Sequence, residues 1–143
     1  MKYDYDITLA FKKAWQKKIL DWYFVNKRDL PWRKKTYQNF YKIWISEIML
    51  QQTTVATVIP YYKRFLKKWP SLKSFLHATL EEILYEWQGL GYYQRAKNLF
   101  KAKEFLKSNK LIIDSKNLMN IPGIGEYTSS SISAILKDEP CAV

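Results

Sequence analysis

A chain of 143 residues with only four glycines places two of them within five residues, Ile121-Pro-Gly-Ile-Gly125, between two stretches that read as helix. The stretch before it, residues 115–120, opens on Asp114 or Ser115 as an N-cap, and the stretch after it runs from about 126 to 137. Gly123 and Gly125 permit torsions that other residues resist and leave no side chain in the way of a ligand. A short helix, a glycine hairpin and a second helix turn backbone amides outward at a helix N-terminus, which suits a phosphate. A plain tight connection between two helices would use the same pattern.

The remaining chain reads as helix throughout. Helical periodicity predicts a first helix over 7–26, a loop at Lys27-Arg-Asp-Leu-Pro-Trp-Arg33, a second helix over about 41–50 and a third ending near Lys68, capped by Thr53 or Thr54. Pro60 falls inside the third and predicts a kink or a new helix start there. Two short helices follow over 71–76 and 80–87, the latter capped by Thr79. The glycine-bracketed turn Gln88-Gly-Leu-Gly-Tyr-Tyr93 opens a long helix over 93–108, with Arg95, Lys97, Lys101, Lys103 and Lys107 assigned to its polar side. No strand-like alternation, internal repeat or low-complexity segment appears, so the fold class is all-α.

Composition narrows the partners. Lys plus Arg total 24 against 13 Asp plus Glu, a net charge of +11. Such an excess points to a polyanion, although lysines spread evenly along a chain also mark a lysine-rich proteome. One cysteine, Cys141, excludes an internal disulfide framework and a multi-thiolate metal site built by this chain alone, and suits a reducing compartment. The N-terminus carries no secretory signal, and no window reaches the roughly 18 unbroken apolar residues of a membrane span. His77, the single histidine, stands apart from every motif. Cys141 is expected to be buried rather than reactive.

One stretch carries an acid where none is expected. In Trp44-Ile-Ser-Glu-Ile-Met-Leu-Gln-Gln-Thr53, Glu47 interrupts an apolar helical run that ends in two glutamines and a threonine. Taken alone it reads as a surface glutamate on an amphipathic helix, although apolar neighbours such as Trp44, Ile48 and Leu50 could raise its pKa. In the loop before it, Arg28, Trp32 and Arg33 could wall a pocket, or Trp32 could simply close the core.

Five motifs taken in order carry a resemblance. Leu30-Pro-Trp-Arg33, Trp44–Thr53, Val55-Ala-Thr-Val-Ile-Pro-Tyr-Tyr62, Gly89-Leu-Gly-Tyr-Tyr93 with Arg95-Ala-Lys-Asn-Leu99, and the hairpin segment 121–128 resemble the adenine DNA glycosylases of the helix-hairpin-helix superfamily, over about residues 15–143. The resemblance implies a six-helix barrel and excision of adenine mispaired with guanine or 8-oxoguanine in double-stranded DNA. It puts Glu47 and Tyr127 at catalytic positions, with Glu47 protonating the flipped base. It implies that Gln52 and Tyr92 wedge into the duplex, that Thr53 and Leu90 meet the strand opposite the adenine, and that Gln51, Gly91, Gly123, Ile124 and Gly125 belong to the DNA-facing surface. Arg28, Trp32 and Arg33 would line the adenine pocket. The carbonyls of Met119, Ile121 and Ile124 match positions that hold a monovalent cation. Tyr127 stands where endonuclease III-like relatives carry a lysine that attacks the sugar. A tyrosine forms no Schiff base, so hydrolysis without strand cleavage follows. Some thymine-mismatch glycosylases also carry tyrosine here, and Gln51-Gln52-Thr53 favours the adenine enzymes.

The resemblance also sets expectations about extent. Residues 1–28 correspond to a helix that packs on the family's iron–sulfur domain, and 29–143 to the barrel with its hairpin unit at 115–137. A [4Fe-4S] cluster is expected only in a full-length protein. The second catalytic carboxylate lies in an aspartate-glycine-asparagine motif past the segment matching 140–143; Asp138 and Glu139 match no family position. On this reading the chain stops before the second acid, and alone it is expected to be a weakly active or inactive monomer. Cytoplasmic, nucleoid-associated DNA repair is the implied setting. A non-catalytic DNA-binding module built on the hairpin, or a related mismatch glycosylase, is the alternative.

Overall fold

The computed structural model describes residues 8–140. Ile7 and Cys141, which carried expectations, lie outside the described residues. The chain divides into two compact units at Leu30–Pro31.

The first unit contains α1, Leu9–Asn26, capped by the Thr8 hydroxyl, which accepts from the Phe11 amide at 3.4 Å. None of its residues is buried, and Leu9, Phe11, Trp15, Ile19, Leu20, Trp22, Phe24 and Val25 are all exposed. Its apolar residues are spread around the helix rather than gathered in one stripe, a distribution otherwise found in helices buried on all sides.

The second unit is built around α2, Phe40–Leu50. Eight of its eleven residues are buried, including Ile43, Trp44, Ile45 and Met49, which are almost wholly enclosed. Asn39 starts it by accepting from the Lys42 amide at 3.1 Å. Around it lie α3 (Val55–Lys68), α4 (Leu72–Phe75), α5 (Leu80–Trp87), α6 (Gln94–Ser108), α7 (Ser115–Leu118) and α8 (Glu126–Lys137), with single 3-10 turns at Pro31–Arg33 and Lys35–Tyr37. No strand occurs among the described residues. Helix α2 packs against α3 on one side and α8 on another, while α5 packs on α6 and α7 on α8.

The core is aromatic. Trp44 stacks on Phe40 with centroids 5.4 Å apart, and Phe75 meets Tyr41, Trp44, Phe65 and Trp69 within 6.0 Å. Polar tips of the buried rings are tied off: Tyr41 donates to the Trp69 carbonyl at 2.8 Å and Tyr62 to that of Lys42 at 2.9 Å. Helix starts follow the caps expected of them. Thr54, Thr79 and Asp114 each accept from a first-turn amide, and Thr79 with Glu82 forms a full capping box.

Two expectations need correction, while that for Pro60 holds in part: no helix starts there, and the proline stands inside α3, which runs from Val55 to Lys68. The proline is its sixth residue, so the bond forfeited is the one to the exposed Ala56 carbonyl in the first turn, where water can replace it. Arg95 and Lys103 do not lie on the polar side of α6. Both are buried, Lys103 over the Phe100 ring and paired with Glu104. They share the inner face with Ala96, Leu99 and Ala102.

Because Phe75 is the ring on which four others converge, Phe75→Ala is expected to cost about 3–5 kcal/mol, against about 1 kcal/mol for removing the Thr79 cap in Thr79→Ala. Urea unfolding of the two variants measures both.

Candidate nucleic-acid interface and its acid

Three loops of the second unit carry most of the residues singled out in the sequence. The first follows α2: Gln51 caps the helix, Gln52 takes a φ of +55°, and Thr54 starts α3. The second joins α5 to α6, with Gly89, Gly91 and Tyr92 at φ +89°, +82° and +47°. The third is the hairpin, with Gly123 at φ +83°. Only glycine adopts this region freely, so Gln52 and Tyr92 hold a strained backbone. Both side chains are exposed, Tyr92 to 60%. Strain held in place at two exposed polar or aromatic residues is characteristic of functional loops.

Arg95 holds the first two loops together. Its Nη1 donates to the carbonyls of Ile48, Met49 and Gln51 at 3.0, 2.7 and 2.6 Å, at the C-terminal end of α2, where Ile48 also accepts the Gln51 amide. Its Nη2 donates to the Thr53 hydroxyl at 3.0 Å and the Gly91 carbonyl at 3.1 Å, and Nε to the Tyr92 carbonyl at 3.4 Å. The guanidinium lies over the rings of Trp87 and Tyr92. Burial draws its pKa below the usual value, yet a guanidinium stays protonated in proteins, and here the partial negative charge of a helix end faces it.

The glycines differ in what they permit. A Cβ on Gly89 would fall 2.5 Å from the Tyr61 hydroxyl, which itself donates to the Gln88 carbonyl. A Cβ on Gly123 would fall 2.8 Å from Cβ of Asn98, so the hairpin is seated against α6. Gly125 is different from expectation: its φ of −90° and ψ of −175° suit any residue, and nothing lies within 4 Å of where a Cβ would stand. Its missing side chain leaves open space at the N-terminus of α8. Ile121 and Ile124 anchor the hairpin inward, both buried, with the Ile124 amide donating to the Ile121 carbonyl at 3.1 Å.

Glu47 sits on α2, half-buried, where α2 meets α8. Burial raises its carboxyl above the usual range, and a hydrogen bond from the Ser131 hydroxyl partly offsets this. One turn on, Gln51 Nε2 donates to the Thr128 hydroxyl at 3.1 Å. Glu47 and Gln51 on one helix thus face Ser131 and Thr128 on the other. Tyr127, in the first turn of α8, is exposed to 68% and lies one turn before Ser131 on the same helix face.

Other expected residues are placed differently. Leu90 is 5% exposed and turns inward between its two glycines, so its side chain is not available to a DNA strand. Trp32 is buried with its ring edge-on to Tyr62, closing the core as one of its two readings held. Arg33 is exposed beside it, whereas Arg28 belongs to the first unit. Glu139 is engaged at the start of α7, accepting from the Ser115 hydroxyl at 2.8 Å. Asp138 is the left-handed C-cap of α8, seven residues and about 10 Å along the helix from Ser131. Two site residues went unread in the sequence, Arg95 and Ser131. The spacing from Arg95 to Leu99 and Ala102 would have put the arginine on the apolar face, and four consecutive Thr and Ser residues are unusual inside a helix.

Among the described residues no group of acids, histidines or cysteines is arranged to hold a metal ion, and no helix is long and apolar enough to cross a membrane.

Comparison with known proteins agrees with this geometry. Residues 45–135 match the model of the HhH-GPD superfamily of base excision DNA repair proteins. The chain is 44% identical over 124 residues to an adenine DNA glycosylase of Buchnera aphidicola subsp. Schizaphis graminum, covering 84% of this chain and 35% of the relative. It is 41% identical over 145 residues to the adenine DNA glycosylase of Rattus norvegicus, covering 94% of this chain and 28% of the relative. The chain therefore spans about a third of the length of the curated relatives it matches. Among solved structures, a thermostable thymine-DNA glycosylase superposes with a TM-score of 0.80 at 26% identity, covering 94% of this chain and 63% of the other. A trapped endonuclease III–DNA covalent intermediate superposes at 0.70 and 21% identity, covering 90% of this chain and 60% of the other, a likeness of fold. With the matched segment running from the middle of α2 to near the end of α8, the chain belongs to the HhH-GPD superfamily of base excision DNA repair proteins.

Proposed function

We propose that this chain carries the base-flipping and proton-donating half of an adenine DNA glycosylase acting on adenine mispaired with guanine or 8-oxoguanine. The observation that carries the reading is Glu47: a half-buried acid, raised in pKa, one turn from a loop that displays Gln52 on strained backbone. The curated relatives named adenine DNA glycosylase support the choice of base.

In this reading Gln52 and Tyr92 enter the duplex and fill the space left as adenine turns out of the stack. Glu47, protonated, donates to a ring nitrogen of the base. The bond between sugar and base then breaks with its electron pair leaving on neutral adenine, and water adds to the sugar cation, losing a proton to leave an abasic site. Tyr127 offers no amine for a sugar adduct, so the strand stays intact. The hairpin amides hold a backbone phosphate at the open space beside Gly125. For a monovalent cation, the Met119 and Ile124 carbonyls accept no backbone amide among the described residues, while that of Ile121 accepts one and keeps a second lone pair. Three neutral oxygens suit such an ion, which would add positive charge toward the phosphate.

Gly125→Asp tests the hairpin without disturbing the fold. Aspartate is a good N-cap on ordinary backbone, so stability should hold, while its charge repels a phosphate. Duplex affinity is expected to fall about tenfold or more in a salt titration by fluorescence anisotropy; an unchanged affinity removes the hairpin from the interface. Glu47→Gln should slow single-turnover excision of adenine opposite 8-oxoguanine about 10²–10⁴-fold with duplex affinity retained. A Gln variant that matches the parent in every property makes the chain a binding module.

The pH dependence follows from the direction of the shift. The protonated form of Glu47 is the active one, so excision is fastest below its pKa and declines as pH rises through it. Ser131→Ala removes a bond that favours the carboxylate, so the pKa rises further and the declining limb moves to higher pH. A limb that stays in place or moves to lower pH contradicts this role for Ser131.

A further inference from the structure

We propose that Arg95 is the positioning residue that sets Gln52 and Tyr92 beside one another, making two separate loops act as one wedge. The inference rests on the glycosylase reading above and extends it to a residue that touches neither base nor sugar.

The geometry is specific. All six hydrogen bonds of the guanidinium go to neutral oxygens, three at the end of α2, one on Thr53 and two in the α5–α6 turn. Gln51 and Thr53, on either side of Gln52, are both held, and so are Gly91 and Tyr92 itself. Each loop would be free to relax its left-handed residue into ordinary backbone if its carbonyls were released. No carboxylate within salt-bridge distance of Arg95 competes for the fork among the described residues. The Trp87 indole adds to the hold by donating to the same Gly91 carbonyl at 3.1 Å and presenting its ring beneath the guanidinium. Helix α6 carries Arg95 and, three residues on, Asn98 against Gly123, so the hairpin that grips the phosphate rests on the helix that sets the wedge. A planar fork with five N–H donors can span both loops, whereas a lysine ammonium reaches one or two acceptors at most.

The test uses Arg95→Lys in the full chain and a duplex carrying 2-aminopurine at the target position opposite 8-oxoguanine, whose emission rises when it leaves the stack. At saturating protein the rise is expected to fall at least fivefold in the variant, with duplex affinity within about twofold because the hairpin is untouched. Phe75→Ala is the control for lost stability. It lies in the core away from both loops and should keep the full rise at a temperature where it remains folded. A folded Arg95→Lys chain with the parent's emission overturns the positioning role while leaving the glycosylase reading intact. A parent chain that gives no rise overturns both. If Arg95→Lys does not fold, Arg95→Gln, whose amide offers two donors and no charge to bury, takes its place. A reduced rise at saturation with unchanged affinity supports the proposal, and an unchanged rise overturns it.

Discussion

A single buried cation organises the working face of this protein. Helix α2 ends with its carbonyls pointing at protein rather than water, and a helix end left so would be unstable. Arg95 supplies the missing donors, and the charge it brings is matched by the dipole of the helix it closes rather than by an acid. That choice has a structural result. A carboxylate partner would have fixed the arginine to one spot, whereas six neutral oxygens tie it to two loops at once. The exposed ends of those loops keep their shape because their roots are held inside.

The acid is handled in the opposite way. Glu47 sits in the helix that supplies the core, and burial works against its charge instead of satisfying it. Only the Ser131 hydroxyl favours the ionised form. Fold and site therefore pull in different directions on the same helix: α2 is buried nearly all round because the barrel needs it, and that burial is what raises the pKa of its one carboxyl. The aromatic cluster of Trp44, Phe65, Trp69 and Phe75 makes the arrangement tolerable, since it gives α2 little freedom to turn the acid outward.

Much of this was legible before any coordinates. Helix positions followed from periodicity, and helix starts from cap residues whose side chains satisfy amides in the next turn: Thr79 outright, Thr54 and Asp114 each as one of two neighbouring candidates. Glu47 was visible as an acid in an apolar run. What escaped reading had a common cause, the use of residue type in place of residue position. Arg95 and Lys103 were assigned to solvent for their charge, yet their spacing from Leu99 and Ala102 puts them inside. Leu90 was assigned to DNA from its place in a motif, yet an apolar side chain between two permissive glycines can turn inward. Gly125 was read for both torsion and open space, and only the space matters, since its backbone is ordinary. Ser131 could not have been paired with Glu47 from sequence, because 84 positions separate them and only the packing of α8 on α2 joins them.

The left-handed backbone at Gln52 and Tyr92 has an evolutionary consequence. Glycine or asparagine at either position would relax the chain and stabilise the fold, so neutral drift in a lineage released from selection runs toward those residues. Side chains other than these carry a cost in stability at such positions that folding does not explain. In a family sharing this scaffold, side-chain identity at these two strained sites would report whether a member still works on DNA sooner than any change in the core, which is kept by folding alone.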